Sequence, residues 1–221
     1  MKLLTLENVC YSYHGKKENK SVLKGVNYSF EEGKFYAIIG KSGSGKSTML
    51  SLMAGLDLPV DGKVFFEGVA TAQMDLDEYR RMSASVIYQN FCLFPLLTVL
   101  ENILYPMELC HVKEEEAVRK AKELAKKVSL PESLLNRYPS QISGGEQQRV
   151  AIARALAMER KIILADEPTG NLDSENSDVI IKLLSNLAKE EHRCVIVVTH
   201  DYAVVDSADV VLKIVDGRIK E

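Results

Sequence analysis

The tightest constraint on this chain is the stretch Gly40-Lys41-Ser42-Gly43-Ser44-Gly45-Lys46-Ser47, with Thr48 after it. It fits the pattern GxxxxGK[ST], and its setting counts as much as its letters. Phe35-Tyr36-Ala37-Ile38-Ile39 leads into it, apolar throughout, as expected of a strand buried on both faces. A helical pattern leaves it at Lys46 and runs to about Leu56. The glycines permit backbone angles closed to other residues. Successive N–H groups can then wrap a phosphate at the positive end of a helix. In that arrangement Lys46 reaches the β- and γ-phosphates, and the Ser47 hydroxyl ligates Mg²⁺. Detached from this strand and helix, the same letters would describe only a flexible Gly/Ser turn.

A phosphate site of this kind needs a second component that holds the metal and activates water. Ile162-Ile163-Leu164-Ala165-Asp166-Glu167 can supply it. A buried strand that ends in a carboxylate delivers that carboxylate to the C-terminal edge of a sheet, where ligands bind. Asp166 is the candidate metal ligand. Glu167, one residue further, is the candidate for polarising an attacking water.

The rest of the chain organises around these two strands. The first forty residues read as strands, with Glu32-Gly33 as punctuation, and Lys63 to Phe66 as another short one. Around Lys113 to Leu130 the apolar positions Val112, Ala117, Ala121, Leu124, Ala125 and Val128 fall at helical spacing. A second helix is expected from Gly144 through Leu156, a third from Ser177 to Ala188, and a buried strand from Cys194 to Thr199. Strands alternating with helices imply a parallel α/β sheet. The mostly helical stretch from about 90 to 160 reads as an insertion into it.

Composition narrows the function. With 28 Lys+Arg against 31 Asp+Glu, the net charge is −3. That gives no basic surface for a nucleic acid, so no nucleic-acid partner is expected. The four cysteines, Cys10, Cys92, Cys110 and Cys194, form no CxxC pair. They read as isolated thiols of a reducing compartment. Met1 to Glu7 carries charge too early for a signal peptide. The longest uncharged apolar run, Phe91 to Leu100, is ten residues and contains Pro95, well short of the ~20 that span a bilayer. A cytoplasmic chain is expected, at a membrane only if a partner carries it there.

Ile142-Ser143-Gly144-Gly145-Glu146-Gln147-Gln148-Arg149-Val150 carries a more specific likeness. It resembles the signature motif of ABC-type ATPases and the helix that the motif caps. Asp166-Glu167-Pro168-Thr169-Gly170-Asn171-Leu172-Asp173 is similar to the family's Walker B end and D-loop. Thr199-His200-Asp201 resembles its switch histidine, Gln89 its Q-loop glutamine, and Tyr13 the aromatic residue that stacks on adenine, with Tyr11 close enough to compete. These motifs follow one another in family order from Tyr13 to Asp201.

The resemblance implies an α/β fold: a P-loop NTPase (RecA-like) core with a parallel sheet, an N-terminal antiparallel β subdomain and an inserted helical subdomain. It implies one ABC ATPase domain over 1–221, with core and β subdomain at 1–89 and 161–221 and the helical part at 90–160. It implies ATP and Mg²⁺ as cofactors, with Ser47, Gln89 and Asp166 around the metal and Lys46, Gln89, Glu167 and His200 around the reacting phosphate. It further implies a homodimer on ATP binding. Ser143, Gly144, Gly145 and Glu146 of one subunit then meet the γ-phosphate held by the other, with Asp173 at the contact. Glu146 stands where glutamine is commonest. A carboxylate facing that phosphate would repel it, so Glu146 is expected to point aside. Asn171 replaces the small residue usual in many D-loops.

The family also implies an integral membrane permease as partner, docking near Phe91–Leu100, which places the chain peripherally on the cytoplasmic face of the membrane. In that run core and groove are equally open readings for any one residue. DEPTGNLD in a short chain is most similar to the lipoprotein-release, macrolide-export, cell-division and antimicrobial-peptide-resistance group. A polar amino-acid importer subunit and a soluble ABC-type ATPase acting on nucleic acid are the alternatives.

Overall fold

The computed structural model describes residues 1–14 and 19–220. The N-terminal strands β1 (Lys2–His14) and β2 (Asn19–Glu31) pair antiparallel. With β4 (Asp61–Phe66) and the short β5 (Val69–Ala70) they make an antiparallel sheet in the order β2-β1-β4-β5. The second sheet has six strands. It contains β3 (Phe35–Ile39), β6 (Ala84–Ile87), β7 (Ile162–Asp166), β8 (Cys194–Val198), β9 (Val210–Val215) and β10 (Arg218–Lys220), in the order β10-β9-β3-β8-β7-β6. All its pairings are parallel except β10 with β9.

Alternation along the central strands divides the core. Ile162, Leu164, Ile196 and Val198 join Phe30, Tyr36, Met49 and Leu52 on the side of the antiparallel sheet and of α1 (Lys46–Met53). Ile163, Ala165, Val195 and Val197 face the helical side. That side includes α3 (Val99–Leu109), α4 (Glu114–Lys127), α5 (Gly144–Leu156) and α6 (Ser174–Lys189). α3, α4 and α5 lie in sequence between β6 and β7, which are nonetheless parallel neighbours with Ile87 opposite Ala165. The helical stretch is therefore inserted between two strands of one sheet. A strand buried on both faces has no polar side, which is why β7 and β8 read as unbroken apolar runs.

Several elements differ from the sequence expectation. α1 stops at Met53 rather than Leu56. Gly55 turns left-handed at φ 65°, and a Cβ there would press on the Tyr79 ring at 2.8 Å. α6 starts three residues before Ser177, because the Asp173 carboxylate caps it by accepting the Asn176 N–H at 2.8 Å. α2 (Leu76–Met82) and α7 (Tyr202–Ser207) were not anticipated; each buries a single residue, Tyr79 and Val204, so neither has a stripe to read. No disulfide forms among the cysteines.

Candidate functional site

Parallel strand order brings the chemistry together. β3, β8, β7 and β6 are consecutive neighbours, with Ile38 opposite Val198, Asp166 opposite Val198 and Ile87 opposite Ala165. Their C-terminal ends therefore share one edge of the sheet. There β3 releases the phosphate loop, β8 releases Thr199 and His200, β7 ends in Asp166 and Glu167, and β6 leads to Gln89. A cleft of about 680 Å³ opens at that edge. It is lined by the loop residues Gly40, Lys41, Ser42, Gly43, Gly45, Lys46, Ser47 and Thr48, and by Tyr13, Val22, Gln89, Asp166, Glu167 and His200.

The loop's shape follows from its glycines at two points. Gly45, which begins α1, sits at φ 105°, and a Cβ there would lie 2.8 Å from the Leu23 side chain and 3.0 Å from the Val22 carbonyl. Gly40 passes so close to β9 that a Cβ would meet the Ile214 carbonyl at 2.5 Å. Both positions exclude larger residues, on conformational and steric grounds respectively. The Lys46 ammonium folds back over the loop and donates to the carbonyls of Gly40 (2.8 Å) and Lys41 (3.2 Å). Ser44 is the expected loop residue that does not line this cleft; its hydroxyl is buried without a hydrogen-bond partner among the described residues.

The two carboxylates differ in environment. Asp166 is half-buried, and desolvation pushes its carboxyl above the usual range; the Ser47 hydroxyl hydrogen-bonded to it works against that shift, and the neighbouring Glu167 charge adds to it. Ser47 Oγ, Asp166 and the Gln89 amide line one cleft, and together they offer hard oxygen donors. That donor set fits Mg²⁺, which takes one or two carboxylates plus substrate phosphates and retains waters.

Glu167 adopts a left-handed φ of 49° directly after the strand. Its N–H still donates to the Val198 carbonyl at 2.9 Å, so the turn is anchored to β8. Its Oε1 lies 2.8 Å from His200 Nδ1, and its Oε2 accepts from Thr199 Oγ1 at 3.2 Å and from the His200 N–H at 3.4 Å. Glu167 and His200 thus act as one hydrogen-bonded unit at the cleft. Thr199 is a member that motif reading passed over as part of a flanking triplet; the signal was a hydroxyl immediately after a fully buried strand.

The two candidate tyrosines differ in placement. Tyr13 lines the cleft, is 52% exposed, and places its hydroxyl 3.1 Å from Thr48 Oγ1. Tyr11 stands edge-on behind it and is tied to the Asp57 carboxylate, which pushes its phenol up to about 12.

Ser143, Gly144, Gly145 and Glu146 lie outside this cleft, at the start of α5. The Ser143 hydroxyl accepts the Glu146 N–H at 3.3 Å, and the Glu146 carboxylate accepts the Ser143 N–H at 2.7 Å. This is a reciprocal capping box. Its backbone bond holds the Glu146 carboxyl below the usual range. Glu146 is therefore turned back on its own chain. Gly145 packs against the D-loop, where a Cβ would lie 3.4 Å from the Asn171 carbonyl, and Asn171 Nδ2 donates to the Gln89 carbonyl at 3.5 Å.

The ABC transporter family model matches residues 23–170. The chain belongs to the ABC transporter family. Within it the chain is an ATP-binding subunit and an ATPase. YclH of Bacillus subtilis (strain 168), an uncharacterized ABC transporter ATP-binding protein, is 38% identical over 217 residues, covering 98% of this chain and 95% of YclH. MJ0796 of Methanocaldococcus jannaschii, named likewise, is 42% identical over 224 residues, covering 99% of this chain and 95% of its own. A solved dimeric structure of MJ0796, in a post-hydrolysis state bound to ADP and Pi, superposes with a TM-score of 0.94 at 41% identity, covering 99% of this ABC chain and 97% of that one. Among the described residues no helix is long and apolar enough to cross a membrane.

Proposed function

We propose that this ATPase works as a homodimer that closes on two ATP molecules and passes the closure to a membrane permease. The observation that carries the reading is the split of the site. Phosphate loop, Gln89, Asp166, Glu167 and His200 share one cleft, while the α5 N-terminus with its small residues points elsewhere on the same chain. A helix start of this kind favours an anion. A second subunit is the arrangement that lets it meet the phosphate of the first, and the dimeric MJ0796 structures support this.

In this reading Tyr13 stacks on the adenine, residues 40–48 wrap the phosphates, and Lys46 moves from the loop carbonyls to the β- and γ-phosphates. Ser47, Gln89 and Asp166 hold Mg²⁺, which screens phosphate charge when bound. Glu167 accepts a proton from the attacking water, and His200, bonded to Glu167, orients it toward the γ-phosphate. We infer one ATPase domain over 1–221, with the helical part at 90–160.

The permease seat is proposed at the rim of the helical part. A groove of about 420 Å³ runs between Leu56, Tyr88, Cys92, Phe94, Tyr105 and Leu109. Beside it the loop of residues 94–98 is pinned from beneath by the buried Asn102, whose amide bonds the carbonyls of Phe94, Leu97 and Thr98 at 2.9–3.1 Å. The loop displays Leu96 at 87% exposure. An apolar side chain held out in this way suits a short amphipathic helix of a partner. The subunit then sits on the cytoplasmic face of the membrane, in the lipoprotein-release, macrolide-export, cell-division and antimicrobial-peptide-resistance group.

Glu167→Gln tests the catalytic reading. ATP binding is retained and turnover falls roughly 10²- to 10⁴-fold; turnover at the wild-type rate overturns the assignment. Size-exclusion chromatography of the same variant with ATP tests the dimer, and a monomer at saturating ATP refutes it.

A further inference from the structure

We propose that Arg154, in the last turn of α5, is the positioning residue that holds Gln89 at the ATP cleft. Two residues beyond Gln89 the chain takes an unusual turn: Phe91 (φ 53°) and Cys92 (φ 50°) are consecutive and both left-handed. Residues with a Cβ disfavour that region, and two in succession need external support. Arg154 provides it. Its Nη2 donates to the Phe91 carbonyl at 2.9 Å and its Nη1 to the Cys92 carbonyl at 2.6 Å. A planar guanidinium fork serves two adjacent carbonyls from two separate nitrogens held at a fixed spacing, a rigidity that a lysine ammonium lacks. The same guanidinium lies 5.6 Å from the centre of the Phe94 ring at the apolar groove. Burial lowers the affinity of Arg154 for its proton.

The clamp links three regions. Phe91 reaches the other end of α5 as well, where a Cβ on Gly144 would lie 3.8 Å from its ring. The turn clamped by the end of α5 thus also lies beside the start of that helix, which carries Ser143 to Glu146. Displacing Phe94 at the groove would move the guanidinium, and with it the turn that aims Gln89. An ordinary last-turn arginine would satisfy its own helix's carbonyls; this one donates to a loop 62 and 63 residues away in sequence. The inference rests on the proposed role of Gln89 in the ATP site.

The test uses the full chain with Arg154→Met and Arg154→Lys. Hydrogen exchange over residues 88–94, without nucleotide, reads the clamp alone and is expected to accelerate in both variants. Turnover is expected to fall about 10- to 100-fold in kcat with KM for ATP within about twofold. In a Gln89→Ala background, Arg154→Met is expected to add no further loss, because both changes act through one group. Adding Cys92→Gly to Arg154→Met removes the Cβ penalty at one strained residue and is expected to restore both loop protection and most of the turnover. Additive losses with Gln89→Ala, unchanged exchange, or no rescue by Cys92→Gly each overturn the proposal. If Arg154→Met does not fold, the Lys variant carries the same cycle and the same rescue. Glu167→Gln is measured alongside: its failure to lower turnover would sink the ATP-site reading, whereas the exchange result judges Arg154 independently.

Discussion

Replacing Glu146 by glutamine should separate the two properties that meet at the start of α5. The carboxylate accepts the Ser143 N–H at 2.7 Å and sits within the first turn of the helix. A glutamine can accept the same bond, so the capping box survives. What is lost is the charge against the helix N-terminus, about 0.3–1 kcal/mol. For a chain of this size that is a fall in Tm of about 1–4 °C. The pH dependence has a definite sign. The folded-state carboxyl is held low by its bond to Ser143, so its contribution is complete above the unfolded value of about 4.3 and lost as pH falls through the lowered one. The Tm gap between wild type and Glu146→Gln should be widest near neutrality and close in acid. Function should move the other way. For a partner-bound phosphate at this helix end, two unit charges taken about 6 Å apart repel by about 0.7 kcal/mol in water and more in a drier contact. Removing about 1 kcal/mol of repulsion lowers the ATP concentration for half-maximal dimerisation about fivefold, and added salt shrinks the gain. The assay is light scattering against ATP, in a Glu167→Gln background, at two ionic strengths. Weaker dimerisation, or a gain indifferent to salt, would refute the view of Glu146 as a cap whose charge is tolerated.

Three further outcomes are expected. Gln148 is fully buried, and neither end of its amide has a hydrogen-bond partner among the described residues; Gln148→Met should therefore stabilise by about 1 kcal/mol, raising Tm by about 2–4 °C in a melting scan, and a lower Tm would show the amide to be satisfied. Tyr13→Ala should weaken ATP binding about tenfold through lost stacking, while Tyr11→Phe stays within about twofold because Tyr11 is engaged with Asp57; titration with a fluorescent ATP analogue distinguishes them. Leu96→Ser/Leu109→Ser, at positions 87% and 53% exposed, should shift Tm by less than about 2 °C yet lose co-purification with the co-expressed permease, and full recovery of the complex would argue against the groove.

The legible parts of this molecule are those where one physical demand repeats along the chain. β7 and β8 are buried on both faces, so their letters are apolar without interruption. α5 shows its start, because Ser143 and Glu146 are the two halves of a capping box three residues apart. The phosphate loop is legible because Gly40 and Gly45 each sit where a side chain has no room. Elements without such a repeat are opaque: α2 buries one tyrosine, and α3 carries Pro106 inside it, which disguises a helix that Thr98 and Glu101 cap in the ordinary way. The ten apolar residues from Phe91 to Leu100 show the limit most clearly. Their letters are alike, yet Val99 is in the core, Leu96 is in solvent and Phe91 is strained. What sorts them lies far away in sequence or on the next helix. Asn102 holds the loop from below and Arg154 holds the turn from the last turn of α5. Neither residue belongs to a motif read from the chain. Motifs report the atoms that touch the nucleotide; the side chains that aim those atoms answer to backbone carbonyls, which every residue type presents alike and which therefore leave no mark in the sequence.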